Sequence, residues 1–116
     1  MSALWYDIAM DSDPDDPDWY DIERIYCFEW EAFSNADWKT LRASYAKLPN
    51  YETQAEDAFP RWFSRTDDPE NGYLWASVES AGLQVAGTLR RTIWDDWDRQ
   101  FRAATAGLPF RQVDKA

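Results

Sequence analysis

The clearest alternation of apolar and polar positions lies in the C-terminal half of the chain. Within Tyr73–Glu79, and again within residues 83–89, apolar or aromatic residues alternate with small or polar ones. A period of two predicts β-strands, and Gly82 between the two segments can take the positive φ that a tight turn needs. The pattern therefore predicts a β-hairpin.

From Ile93 onward the apolar period changes to three or four residues, which predicts an amphipathic helix directly after the hairpin. Thr92 is the predicted N-cap, and Gly107 followed by Pro109 predicts the end of the helix. The predicted buried face consists of Leu89, Ile93, Trp97, Phe101, Ala104 and Leu108. Two ion pairs spaced i,i+4 are predicted on the exposed side, namely Asp95 with Arg99 and Asp98 with Arg102.

A second helix is predicted from about residue 35 to residue 48. Ser34 is its predicted N-cap, and Asp37 is the partner of Ser34 in a shortened capping box. Phe33 and Trp38 stand at the two positions of a hydrophobic staple. The predicted buried face consists of Trp38, Leu41, Tyr45 and Leu48.

The remaining segments give weaker patterns. Residues 4–10 predict a first strand, and residues 22–30 fit a strand or a helix, although their aromatic and β-branched content favours a strand. Residues 51–58 fit a loop or a short helix. Residues 59–64 predict a short edge strand because Pro60 cannot donate to an interior ladder, and residues 66–72 predict a turn.

Together these elements predict an α+β fold with an antiparallel sheet of four or five strands and two helices packed on it. A chain of 116 residues can bury a core but is too short for two cores, so residues 1–116 are expected to form a single domain. Residues 111–116 are predicted to be a frayed tail, anchored by Phe110.

Histidine is absent, and this excludes imidazole nucleophile pairs, acid–base groups and metal ligands. Cys27 is the single cysteine, which rules out an internal disulfide and fits a reducing compartment. No signal peptide and no apolar run of membrane-spanning length is found. These features predict a cytoplasmic protein that does not associate with membranes.

The net charge of -10 is concentrated at one end of the chain. Residues 1–23 contain eight acidic residues and no lysine or arginine, which leaves a balance of only -2 for residues 24–116. The acidic residues cluster between residues 11 and 18, where two prolines and several aspartates predict an exposed loop. Trp19 and Tyr20 follow this acidic loop directly.

Aromatic rings beside exposed carboxylates form a surface suited to a basic partner, because the rings supply contact area and the acids steer association. The predicted partner-binding residues are Asp11, Asp13, Asp15, Asp16, Asp18, Trp19 and Tyr20. The alternative is that the loop is only a polar connector, with its prolines and aspartates serving turns and solubility.

Other chemistries fit the sequence less well. Asp11, Asp13 and Asp15 have the opening spacing of a calcium loop, but Asp16 stands where glycine is required and Ile22 where a bidentate glutamate is required. Pro17-Asp18 and Asp37-Trp38-Lys39 match the letters of the PD-(D/E)xK nuclease pattern, but the second group opens a helix instead of lying on a strand. No cofactor and no metal is therefore predicted.

We expect a noncatalytic acidic protein, monomeric or weakly dimeric, that occupies the basic functional surface of a toxin or effector domain. In size and charge it is similar to bacterial immunity proteins, antitoxins and nucleic-acid-mimicking inhibitors. Direct nucleic-acid binding is not expected because the net charge repels phosphate. Two alternatives stay open, a small hydrolase that uses carboxylates such as Glu29 and Glu31 or a metal, and a structural subunit with exposed aromatic residues.

Overall fold

The computed structural model describes residues 2–53, 59–111 and 113–114 and shows an α+β fold. Its strands are β1 (Ser2–Ala3), β2 (Trp5–Ser12), β3 (Trp19–Tyr26), β4 (Tyr51–Glu52), β5 (Arg61–Trp62), β6 (Tyr73–Glu79), β7 (Gly82–Arg90) and β8 (Val113–Asp114). Its helices are α1 (Asn35–Lys47), α2 (Arg91–Ala104) and a 3-10 turn at Trp30–Ala32. The main sheet is antiparallel, with six strands in the order β2-β3-β7-β6-β5-β4.

The prediction of four or five strands was wrong because it missed a two-residue strand. β4 and β5 have only two residues each, too few for a period of two to be visible in the sequence. The predicted strand at residues 59–64 corresponds to β5, but β5 lies between β4 and β6 and is not an edge. Pro60 precedes β5, and its carbonyl still accepts a hydrogen bond of 3.1 Å from the Ala76 N–H.

The β6–β7 hairpin is confirmed, with Glu79 paired opposite Gly82. Gly82 has a φ of 143°, and a Cβ at this position would lie 2.2 Å from the carbonyl oxygen of Tyr26. A side chain would therefore clash with the neighbouring strand as well as strain the turn.

Helix α1 begins and ends close to the predicted boundaries. The Ser34 hydroxyl accepts a hydrogen bond of 3.1 Å from the Asp37 N–H, and the Asp37 carboxylate accepts one of 2.9 Å from the Ser34 N–H. The rings of Phe33 and Trp38 lie 5.0 Å apart, as a hydrophobic staple requires. Leu41, Tyr45 and Leu48 are buried on the predicted face.

The predicted buried face of α2 was wrong in part. The helix begins at Arg91, so Thr92 lies inside it, and the N-cap residue Arg90 makes no capping side-chain hydrogen bond. Trp97 and Phe101 are buried as predicted, but Trp94 is buried in place of Ile93, which is 41% exposed. Positions 93 and 94 both border the apolar stripe, and burying the larger indole removes more apolar surface from water.

The ion pairs on α2 also differ from the prediction. Asp98 is buried, so its contact with Arg102 is not a surface pair, and Arg99 pairs with Asp96 instead of Asp95. Ala104 is exposed. The charged residues of α2 were predicted to lie on the solvent side because they are polar. Asp98 does not, because its hydrogen-bond partners Arg24 and Tyr26 are buried.

The N-terminal segments form the edge of the main sheet. The strand predicted at residues 4–10 extends to Ser12, and β3 confirms the strand interpretation of residues 22–26. The chain then leaves the sheet at Cys27, which is buried. Phe110 stacks on Phe28 with ring centroids 4.4 Å apart, and β8 pairs with β1 in a separate two-stranded sheet.

Both helices and one face of the main sheet contribute to a single core. Its buried members are Ile22, Tyr26, Phe28, Leu41, Tyr45, Leu48, Trp62, Leu74, Ala76, Leu83, Val85, Leu89, Trp94, Trp97, Phe101 and Leu108. The alternate residues of β3, β7 and β6 point away from this core. We call their surface the helix-free face; its residues on β7 and β6 are Gln84, Ala86, Thr88, Tyr73, Trp75 and Ser77.

Two sequence-based predictions fall partly on residues that the structure does not describe. Residues 54–58 belong to the segment predicted as a loop or short helix, whose first residues form β4. Residues 112, 115 and 116 belong to the predicted frayed tail. Neither helix in the described part of the chain is long and apolar enough to cross a membrane.

Candidate functional site at the acidic loop

The acidic loop is a tight connection between β2 and β3. It is shorter than predicted, because Asp11 and Ser12 belong to β2, and it spans residues 13–18. The Asp13 N–H donates to the Trp19 carbonyl at 2.8 Å, which closes the hairpin. Carboxylates of the loop accept backbone hydrogen bonds from residues two positions on, 2.8 Å for Asp15 N–H to Asp13 and 3.3 Å for Asp18 N–H to Asp16. The aspartates therefore shape the turn themselves.

Trp19 and Tyr20, predicted to act together, lie on opposite faces of the sheet. Tyr20 faces the helices, opposite the buried Leu89, and packs against the core. Trp19 lies opposite Arg90, on the helix-free side. The two rings therefore do not form one contact surface, since neighbouring residues of a strand point in opposite directions.

The ring of Trp19 is in contact with an arginine of the same chain, Arg90. The Arg90 guanidinium carbon lies 4.7 Å from the centre of the Trp19 ring, and Arg90 Nη1 lies 3.8 Å from Asp16 Oδ2. The Arg90 and Asp16 side chains are 49% and 45% exposed, so water screens this ion pair strongly. A guanidinium group can therefore lie against this ring and this carboxylate in the folded protein.

A cleft of about 400 Å³ opens beside Trp19. It is lined by Asp13, Asp16, Trp19, Asp21, Pro69, Glu70 and Thr88. Pro69 and Glu70 come from the turn before β6, so the cleft combines acids from two distant segments. Asp21 and Glu70 were not predicted as part of the site: Asp21 follows the loop on β3, and only the strand order brings Glu70 to the loop. Asp15 and Asp18 are exposed and do not line the cleft.

Acidic residues continue from the cleft along the helix-free face. Asp11 on β2 lies directly opposite Asp21 on β3, which places two like charges in register. Asp21 accepts a hydrogen bond of 2.9 Å from the Thr88 hydroxyl, and Glu23 accepts one of 2.6 Å from the Gln84 amide. Among the described residues, none of the carboxylates of Asp11, Asp21 and Glu23 is in an ion pair.

A second charged cluster, which sequence reasoning did not detect, lies between β3 and α2. Arg24 donates to Asp7 at 2.6 Å and to Asp98 at 2.8 Å. Tyr26 also donates to Asp98 at 2.6 Å, and Arg102 does so at 3.1 Å. Burial, reinforced by the charge of Asp98, raises the pKa of Tyr26 well above its ordinary value. Both oxygens of Asp98 are occupied, so this cluster is closed by its own hydrogen bonds.

The other candidate chemistries are not assembled. Asp37 and Lys39 lie on α1, and Asp37 caps that helix. Within residues 2–53, 59–111 and 113–114, no group of three or more His, Cys, Asp or Glu side chains is arranged so that it could hold a metal ion. Burial raises the pKa of the Cys27 thiol, which lowers its reactivity.

Comparison of the chain with models of protein families, with curated proteins and with solved structures finds no match.

Proposed function

We propose that this protein is a noncatalytic acidic binding protein that occupies a basic functional surface of a protein partner. The observation that carries the proposal is the cleft beside the acidic loop. It brings the carboxylates of Asp13, Asp16, Asp21 and Glu70 around the ring of Trp19. Aromatic rings and carboxylates together suit arginine and lysine side chains.

The proposed partner is a toxin or an enzyme that acts on nucleic acids, which would make this protein an immunity protein, an antitoxin or another inhibitor. Surfaces that bind nucleic-acid phosphates carry clustered lysine and arginine, and an acidic domain is complementary to them. Long-range attraction would accelerate association, which suits an inhibitor that must intercept a harmful activity. We place this role in the cytoplasm, where a lone cysteine stays reduced.

A binding role is favoured over hydrolysis by the state of the charged groups. The buried cluster around Asp98 has both carboxylate oxygens hydrogen-bonded within the protein, which leaves no free oxygen of Asp98 to act as a base. The acids of the cleft, Asp13, Asp16, Asp21 and Glu70, lie on an open surface, whereas a carboxylate that acts as a general acid needs an enclosed, apolar setting.

The experiment begins with capture of partners from the native host by the tagged protein at low and high salt. The captured partner is then purified, and its affinity is measured for the parent and for D13N/D16N. Asparagine keeps the turn-forming hydrogen bonds of the loop, so folding is expected to be unchanged. We expect affinity at low salt to fall by about tenfold or more, because two charges at a complementary interface are lost.

The matched control is E31Q/D95N, which changes the net charge by the same amount at exposed positions that do not line the cleft. An equal loss of affinity in this control would show that only net charge matters. The proposed function would be refuted if no basic protein were captured in stoichiometric amount. It would also be refuted if D13N/D16N bound the partner as tightly as the parent.

A further inference from the structure

On the helix-free face, β7 carries two small side chains between larger neighbours on β3 and β6, and we call this strip the trough. Ala86 and Thr88 form its floor, because their side chains are small and point away from the core. Each is flanked by an acid on β3 and a ring on β6. One row across the sheet contains Asp21, Thr88 and Tyr73. The next row contains Glu23, Ala86 and Trp75.

The two sides of the trough differ in chemistry. Adjacent strands lie about 4.8 Å apart, so the acids and the rings are separated by about 10 Å, which a single extended chain or a long side chain can fill. Phe59 is 44% exposed, and its ring lies 5.8 Å from Trp75, which extends the aromatic side. Carboxylates therefore face one side of an occupant and ring surfaces face the other.

The charge of the trough is not balanced by the residues that the structure describes around it. Asp21 and Glu23 accept side-chain hydrogen bonds from the neutral Thr88 and Gln84, and Asp11 adds a third carboxylate beside Asp21. Two arginines of the described structure already have acidic partners, since Arg61 binds Asp67 at 2.8 Å and Arg90 lies near Asp16. The trough is thus complementary to an incoming cation.

We propose that an arginine-bearing segment of the protein partner binds along this trough, with guanidinium groups between the acids of β3 and the rings of β6. This inference rests on the proposed function and extends its interface from the acidic loop onto the sheet. Arginine is favoured over lysine because its planar group stacks on rings and binds carboxylates through two donors. A second copy of this chain is disfavoured, since its own trough carries the same negative charge.

The direct test uses nine-residue arginine and lysine homopeptides at the same ionic strength, with affinity measured by calorimetry. We expect the parent protein to bind the arginine peptide about threefold more tightly than the lysine peptide, in line with a modest stacking gain. Amide shifts in ¹⁵N-resolved NMR spectra are expected to be largest at Ala86 and Thr88 and at the Trp75 indole N–H.

Three variants test the two sides of the trough. D21N/E23Q, compared with the charge-matched E31Q/D95N, is expected to weaken binding of both peptides. Trp75→Leu is expected to abolish the preference for arginine. Because Trp75→Leu can also disturb folding, Ala86→Arg provides a second route: its own guanidinium is expected to fill the trough and displace the arginine peptide.

The outcomes separate this inference from the proposed function. If the shifts map to residues 13–18, and Trp75→Leu and Ala86→Arg bind the purified partner as tightly as the parent while D13N/D16N binds it more weakly, the trough is refuted and the proposed function stands. If D21N/E23Q and E31Q/D95N weaken peptide binding equally, or Ala86→Arg leaves the arginine peptide bound, the inference is also wrong. If the shifts lie at the trough and the variants behave as expected, the inference holds.

Discussion

The Tyr26 hydroxyl donates a hydrogen bond of 2.6 Å to Oδ1 of Asp98, a residue 72 positions later in the chain. The same oxygen accepts a bond of 2.8 Å from Arg24, so β3 and α2 are joined through one carboxylate. Asp98 Oδ2 accepts from Arg102 at 3.1 Å. A buried acid with three donors is satisfied only while all of them stay in place.

Asp98→Ala is therefore expected to lower the free energy of unfolding by about 3–5 kcal/mol, because it leaves Arg24 buried without one of its partners. Tyr26→Phe is expected to cost about 1.5–3 kcal/mol, since one hydrogen bond to a charged group is lost. Urea denaturation followed by tryptophan fluorescence measures both. Asp95→Ala, on the exposed side of the same helix, is the control, and a loss of similar size there would contradict the role of the cluster.

Stability is expected to fall at alkaline pH because of two buried tyrosines. Burial raises the pKa of Tyr26 and of Tyr45 in the folded state, while both titrate near pH 10 in the unfolded chain. The unfolded chain loses these protons first, so their contribution is fully present below about pH 10 and declines above it, by up to about 1.4 kcal/mol per pH unit for each tyrosine.

The measurement is the urea midpoint at several pH values on both sides of pH 10. Tyr45→Phe removes one of the two groups and is expected to flatten the decline. An unchanged slope in this variant would show that the Tyr45 hydroxyl ionises equally in the folded and unfolded states.

The orientation of α2 can be tested with two substitutions. Trp97 is fully buried, stacks on Phe101 and meets Trp62 edge-on, so Trp97→Ala is expected to cost about 3–5 kcal/mol. Ile93→Ala is expected to change stability by less than about 0.5 kcal/mol, because Ile93 faces solvent. Thermal unfolding of both variants measures these changes. A large loss of stability in Ile93→Ala would show that Ile93 is buried, as the sequence predicted.

Relief of the repulsion between Asp11 and Asp21 is expected to stabilise the protein. These carboxylates face each other across β2 and β3, so Asp11→Asn is expected to raise the free energy of unfolding at low salt by about 0.2–1 kcal/mol. The gain should vanish in about 1 M salt, where charges on the surface are screened. Asp95→Asn serves as the control, and an equal gain there would assign the effect to net charge.

Local patterns predicted the elements whose signals lie within a few residues. The capping box of Ser34 and Asp37 and the turn at Gly82 are contacts between near neighbours, so a short stretch of sequence is enough to predict each of them. β4 was beyond such reasoning, because two residues contain no period, and β5 was predicted as a strand but wrongly as an edge. The place of β4 in the sheet depends on its pairing with β5, and that of β5 on its pairing with β6, and these segments are separated along the chain.

The candidate site was predictable only in part for the same reason. The acidic loop and Trp19 stand next to each other in the sequence, and the structure keeps them together. Tyr20 was grouped with them by adjacency, but alternation along the strand turns its ring toward the core. Glu70 entered the cleft from another segment, which no local pattern could indicate.

By itself, the sequence determined the α+β class, the concentration of charge near residues 11–18 and the absence of any histidine chemistry. These follow from composition and from interactions over one or two turns of chain. Only the tertiary structure decided that Trp94 is buried instead of Ile93, that Asp98 joins Tyr26 and Arg24, and that acids and rings flank β7. Each of these depends on which strands and helices lie side by side, and that choice is made by the packing of the whole core.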